Sequence, residues 1–186
     1  QTKIHPVLYL ASRLSCLVPP VFLQNYFSIR NKLSKVAIGL VIVEMLDKST
    51  RENNPAPVLY RLGWRILEKL DDSKLNQWLL FAFFLFQHSL RIGFMPELKL
   101  CSQCDSQMME GTFSTITGEL VCGACMDKGE IPLDKETLLL LQGLAKVHLD
   151  ELDTIHCENN SLIKSIKFLD SFGSFHIEGL INVRSF

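Results

Sequence analysis

The chain has 186 residues, 47% of them hydrophobic and 21% charged, with a formal net charge of -1. That balance suffices for a hydrophobic core with a small satellite unit and excludes a disordered polar chain. The charge neither supports nor excludes nucleic-acid binding, which depends on local patches, although a chain with a strong preference for DNA or acidic membranes is usually more basic.

In chain order, His5 to Leu17 reads as strand, with "VLYLA" and "SCLV" around Ser12-Arg13, and Pro19-Pro20 ends it. A helix is predicted from about Asn31 to Asp47. Leu33, Val36, Ala37, Leu40, Val41 and Glu44 follow a period near 3.6, and Ile38, Ile42 and Met45 widen the apolar face. "KSTRENNPAP" is a loop. A second helix covers about Val58 to Leu70, with a core stripe of Leu59, Leu62, Ile66, Leu67 and Leu70. A third runs from about Leu75 to Ile92, closed by Gly93 and Pro96, and is apolar nearly all round. Its run "WLLFAFFLF" is nine residues long. That is about half of what a membrane span needs, so the segment reads as a buried central helix.

Beyond a cysteine-rich stretch, "IPLDKETLLLLQGL" opens a helix that should reach about His148. Asp134 is the expected N-cap, and Leu133 and Leu138 occupy hydrophobic-staple positions. A last helix is expected over Ser161 to Phe172, using Leu162, Ile166 and Leu169. The tail breaks at Gly173 and Gly179 and ends mid-pattern, and Gln1-Thr2 is not a native start, so residues are expected on both sides. The fold expected is mainly α: a helical bundle with an inserted four-cysteine, zinc-ribbon-like β-hairpin module and a short N-terminal β remnant. The boundaries are 1–18 for the β segment, 19–96 and 131–186 for the two parts of the helical domain, and 97–130 for the module.

The cysteine stretch carries the most chemistry. Cys101-x2-Cys104 and Cys122-x2-Cys125 are separated by 17 residues, while Cys16 and Cys157 stand alone. Tight pairs of this kind point to metal binding in a reducing compartment and not to a secreted disulfide scaffold. Two such turns supply four thiolates at tetrahedral positions, the closed geometry of structural Zn2+. The intervening "GTFSTITGELV" reads as a hairpin turning near Thr117-Gly118. Such an island has little core of its own, so the metal would supply its folding free energy. An unoccupied relic and a thiol-redox pair are the competing readings; redox chemistry usually uses a single dithiol at a helix start. Catalytic zinc is disfavoured, since four thiolates leave no open position.

Several cationic positions are candidates for binding. Arg61, Arg65 and Lys69 recur along one face of the second helix, with Trp64 beside them. A charge stripe of this sort is most often solvated surface. Combined with an aromatic ring, it also suits a peptide carrying an aromatic and a carboxylate, or stacked bases. Arg91 ends the apolar helix, where its guanidinium would emerge beside exposed or half-exposed phenylalanines such as Phe84. Arg30, Lys32 and Lys35 cluster at the start of the first long helix, and Lys99 and Lys128 flank the cysteines. The five histidines, at 5, 88, 148, 156 and 176, are scattered without a catalytic pattern, and His88 reads as a core residue.

Three stretches together resemble the C-terminal helical and zinc-bearing portion of the RecO family of bacterial recombination mediators. They are "SIRNKLSKVAIGLVIVEMLDKSTRENNPAPVLYRLGWRILEKL" (Ser28 to Leu70), the segment from "FLFQHSLRIGFMPELKLCSQC" through "GTFSTITGELVCGAC" (Phe84 to Cys125), and "FHIEGLINVRSF" (Phe175 to Phe186). The resemblance covers roughly residues 20 to 186. It implies an N-terminal OB domain of which residues 1–17 would hold only the last strands.

The function implied is non-enzymatic mediator work in the bacterial cytoplasm, associated with the nucleoid. Members bind single- and double-stranded DNA, largely through the OB portion, and anneal complementary strands. They engage RecR and the acidic C-terminal tail of the single-strand-binding protein, and indirectly assist loading of RecA. A tail-docking site is implied in the helical region, where Arg61, Arg65 and Arg91 with Trp64 are physically suited. Arg30, Lys32, Lys35, Lys69, Lys99 and Lys128 are further candidates for DNA or partner contact, and no membrane is involved. The alternative is a zinc-stapled helical adaptor that binds protein alone, recognisable by an exposed apolar groove without a phosphate-binding patch.

Overall fold

The computed structural model describes residues 26–50, 56–72, 74–125 and 131–177. The expected strand at His5 to Leu17, Cys16, Lys128 and most of the closing tail lie outside them. The chain divides between Gln77 and Trp78 into two compact units. That boundary falls within the 19–96 segment that the sequence reading kept whole.

The first unit is helical. A short α1 (Phe27–Arg30) leads into α2 (Leu33–Ser49), and α3 (Pro57–Asp71) packs against both. Pro57 sits at the first helical position of α3, where its missing N–H costs nothing. The buried stripe of α3 is the predicted one, Leu59, Leu62, Ile66, Leu67 and Leu70. That of α2 is Ile38, Val41, Ile42, Met45 and Leu46, while Leu33 and Leu40 face outward. The expectation that Leu33 and Leu40 belong to the core is therefore corrected. Aliphatic residues surround α2, so spacing alone does not choose its inner face; packing on α3 does. The two helices approach closely at Gly63, where an added Cβ would lie 2.3 Å from Leu46 Cδ1. Ile29 N–H donates to Asp71 Oδ1 at 3.0 Å and ties α1 to the end of α3.

The second unit contains α4 (Gln77–Arg91) beyond its first residue, then β1 (Gly111–Phe113), β2 (Leu120–Val121), β3 (Ile131–Leu133), α5 (Lys135–Lys146), a 3-10 turn at Leu149–Thr154, and α6 (Asn159–His176). Every residue from Leu79 to Ser89 is buried, as expected of a helix apolar all round. Gly93, at φ 96°, ends α4 in a Schellman arrangement: Phe94 N–H donates to Ser89 O at 2.9 Å and Gly93 N–H to Leu90 O at 3.2 Å.

The strands form an antiparallel sheet in the order β2-β1-β3, with Phe113 paired to Leu120 on one side and Ile131 on the other. The hairpin was expected; the third strand was not, because Pro132 disguises it. Proline is admissible there because β3 is an edge strand. Asp134 caps α5 as predicted, its Oδ1 accepting Thr137 N–H at 3.0 Å and Thr137 Oγ1–H at 2.6 Å. The staple residues Leu133 and Leu138 are both buried. α6 extends past both predicted ends and packs on α5 and β3, and Phe113 meets Phe168 edge-on at 5.2 Å. Among the described residues, no helix is long and apolar enough to cross a membrane.

Candidate metal centre

The two cysteine pairs converge because short backbone bonds fold each into a tight turn. Leu100 bridges Gln107, Cys101 N–H donates to Ser106 O at 2.9 Å, and Asp105 N–H to Cys101 O at 3.0 Å. Asp105 completes this turn in the left-handed region at φ 56°, which Asp tolerates better than most residues. Cys122 directly follows β2, and Cys125 N–H donates to Cys122 O at 3.1 Å. Ser102 joins the two halves, donating through its N–H and its hydroxyl to Leu120 O at 3.1 and 2.8 Å. Strand pairing and these bonds bring the four sulfurs within 4.8 Å of one another.

The arrangement suits one metal ion. Cys104 Sγ and Cys122 Sγ are 3.8 Å apart, the separation that a tetrahedral site with metal–sulfur bonds of about 2.3 Å requires. Cys101 is fully buried and Cys104 faces solvent, with Cys122 and Cys125 between these extremes. The backbone N–H of Cys122 points at Cys101 Sγ at 3.3 Å. This bond, with N–H groups of Gln103 and Cys104, holds the Cys101 thiol down to about 6 despite its burial. Cys122 is lowered likewise, chiefly by the N–H of Cys125. Neighbouring sulfurs push Cys125 up to about 12, led by Cys104 and then Cys122. The surroundings thus favour the thiolate at Cys101 and Cys122 and the protonated thiol at Cys125, and a cation bound there would displace that proton. Cys157 takes no part: it is half-buried, and burial raises its thiol.

The described binding candidates are distributed over both units. In the first unit, Arg61 and Arg65 are exposed on α3, Lys69 is partly exposed, and Trp64 packs edge-on to Tyr60 at 6.1 Å. Arg30 and Lys32 are exposed, but Lys35 is buried and its ammonium donates to Ser28 Oγ at 2.9 Å. In the second unit, Arg91 donates to Gln87 O at 2.9 Å and to the Gln87 side-chain oxygen. Phe84 is fully buried, so it offers no exposed ring beside Arg91. Lys99 is exposed two residues before the first metal-site cysteine. His88 is buried, tilted against Phe84 at 5.6 Å, and desolvation lowers it to about 4.

A further feature of the second unit went unrecognised in the sequence: an aromatic cavity between the turn after α4, the cysteine hairpin and α6. Its residues come from distant segments, and each of its phenylalanines reads in isolation as ordinary core.

The family described as "Recombination protein O C terminal" matches residues 30–185. Among curated proteins, the chain is similar to the "DNA repair protein RecO" of Listeria innocua serovar 6a, 26% identical over 81% of this chain and 59% of that protein. Those of Listeria welshimeri serovar 6b and Pelobacter propionicus are 28% and 29% identical, over 79% and 81% of this chain and 65% and 60% of the relatives. The chain therefore spans a little under two thirds of these relatives' length.

Proposed function

Because the chain belongs to the recombination protein O family through the C-terminal region of that family, we propose that it serves a recombination mediator. The mediator is a DNA-repair factor of the bacterial cytoplasm that acts at the nucleoid without covalent chemistry. The observation that carries this reading is the family match over residues 30–185, which takes in the four-cysteine module as well as the helices. Relatives named as DNA repair proteins support it.

The mechanism is bridging. One surface of the mediator holds single-stranded DNA and another holds the protein that coats it, so that binding to one raises the effective concentration of the other. RecR joins this assembly, strands anneal, and RecA loading follows indirectly. In this chain the acidic tail of the single-strand-binding protein docks on α3. Arg61 and Arg65 receive its carboxylates and Trp64 its aromatic side chain. Arg91 is the competing receptor. Arg30, Lys32, Lys69, Lys99 and Lys128 add weaker contacts to DNA or partner, the main DNA surface lying in the family's OB domain. Lys35 drops out of that set because its ammonium is already engaged by Ser28.

Cys101, Cys104, Cys122 and Cys125 hold Zn2+, which supplies folding free energy to the module. Four thiolates close its coordination, so the ion has no place for substrate. A protein-only adaptor is the second reading. The exposed side chains Phe94 and Met95 favour it, since the charged residues lining the same cavity are Glu97 and Glu119.

A fluorescence titration separates the two. A labelled peptide with the acidic, aromatic chemistry of the tail is titrated into the metal-loaded chain, with a charge-reversed peptide as control. Saturable binding that weakens in Arg61→Glu or Arg65→Glu supports the mediator and places its docking site on α3. Loss with Arg91→Glu alone moves the site to the end of α4. Absence of saturable binding by a folded, metal-filled sample favours the adaptor.

A further inference from the structure

The cavity in the second unit has a volume of about 280 Å3 and lies between Gly93–Glu97, the cysteine hairpin and the C-terminal half of α6. Its floor is aromatic. Phe113 and Phe168 are fully buried, and Phe172 stands 6.2 and 5.9 Å from their rings. One wall is His176, whose ring is 4.4 Å from that of Phe172 and stacks with Phe94 at 6.1 Å. Its Nε2 lies 3.0 Å from Gly118 O, which ties α6 to the tip of the cysteine hairpin. Phe94 and Met95 leave apolar surface exposed along the lining.

Among the described residues, the charged members of this lining are two carboxylates, Glu97 and Glu119, with no lysine or arginine beside them. One oxygen of Glu97 accepts the backbone N–H groups of Lys99 and Leu100 at 2.7 and 3.3 Å, so the carboxylate is held in place. The faces of aromatic rings carry partial negative charge and attract cations, and fixed carboxylates add to that attraction. The same groups repel phosphate and peptide carboxylates. The volume suits one long side chain better than a cofactor.

We propose that this cavity docks a lysine or arginine side chain presented by a basic, apolar segment of a partner protein. The aliphatic stem lies on the phenylalanine floor and the cationic head meets Glu97 and Glu119. The site is opposite in charge to the acidic-tail site on α3 and stands independently of it. It also belongs to the cysteine module, because Ser102, Gly118 and Leu120 of that module line it.

The test is an amide-resolved NMR titration of the metal-loaded chain with acetyl-Arg-Phe-Arg-amide. The comparison probes are its citrulline counterpart, acetyl-Glu-Phe-Glu-amide and a thymidine oligonucleotide. Saturable shifts at Ser102, Gly118 and His176 are expected with the arginine peptide. Binding should weaken roughly ten-fold for the citrulline peptide and for the doubly substituted Glu97→Gln, Glu119→Gln chain, which keeps the shape and removes the charge. Phe94→Ala, at a partly exposed ring, should weaken binding without unfolding the chain. Equal binding of the citrulline peptide or by the double variant would overturn the proposal. So would the same resonances moving with the acidic peptide or oligonucleotide, no saturable shift at all, or peptide-free shifts that track chain concentration and assign the cavity to a second copy.

Discussion

His88 is the residue whose burial has the plainest consequence. Desolvation alone lowers it to about 4 from an ordinary 6.5. Between those values the unfolded chain binds a proton that the folded chain refuses, so the contribution of a neutral His88 to stability is complete above pH 6.5 and is lost as the pH drops toward 4. At about 1.4 kcal/mol per unit, the loss approaches roughly 3 kcal/mol. Urea unfolding at a series of pH values, for the parent and for His88→Gln, isolates this contribution from cysteine protonation. The stability gap between the two chains should narrow on acidification. Gly118 makes a second residue-scale case. Its φ is 72°, and an added Cβ would fall 2.2 Å from the Phe175 ring. Gly118→Ala should therefore lower stability by about 1–3 kcal/mol, measured by thermal melting, and displace the hairpin from α6.

At the scale of elements, legibility followed how much of the information was local. Asp134, Thr137, Leu133 and Leu138 lie within six consecutive residues, and the structure makes the cap and buries the staple that this spacing predicts. The Cys-x-x-Cys turns are equally local, and their four sulfurs converge as the motif requires. The inner face of α2 was not legible, because Leu33 and Leu40 are as apolar as the residues that packing on α3 selects. Lys35 was misplaced for a similar reason: it follows two exposed cations, but its ammonium is met by Ser28 from the preceding helix. The cap also gives a measurable quantity. Asp134→Ala should cost about 1 kcal/mol in α5, with Asp134→Asn costing less, by thermal denaturation at neutral pH. The Lys164 ammonium and then the Thr137 donors hold the Asp134 carboxyl down to about 2. Its contribution is therefore complete above about pH 4 and lost as the pH falls toward 2.

The whole molecule consists of two units with separate cores, one built on α2 and α3 and the other on α4, the sheet, α5 and α6. The four cysteines all belong to the second. Residues 98–121 are held by short strands, turn bonds and the sulfur cluster, with Leu98, Met108, Phe113, Leu120 and Val121 as their buried apolar side chains, so a metal held by the four cysteines would add to the order of this small unit. Chelation, or Cys104→Ser at the exposed ligand, should release hydrogen-exchange protection at Ser102, Thr112 and Val121 while Leu62 and Ile66 of α3 remain protected. The same treatment distinguishes the two proposed surfaces. Binding of an acidic, aromatic peptide through Arg61 and Arg65 should survive metal removal within about two-fold, since α3 is ordered by aliphatic packing against α2. Binding of the arginine peptide should be lost, since Ser102, Gly118 and Leu120 no longer complete the cavity. Parallel titrations with and without chelator read both effects, and loss of the two peptides together would show that metal sets the order of both units.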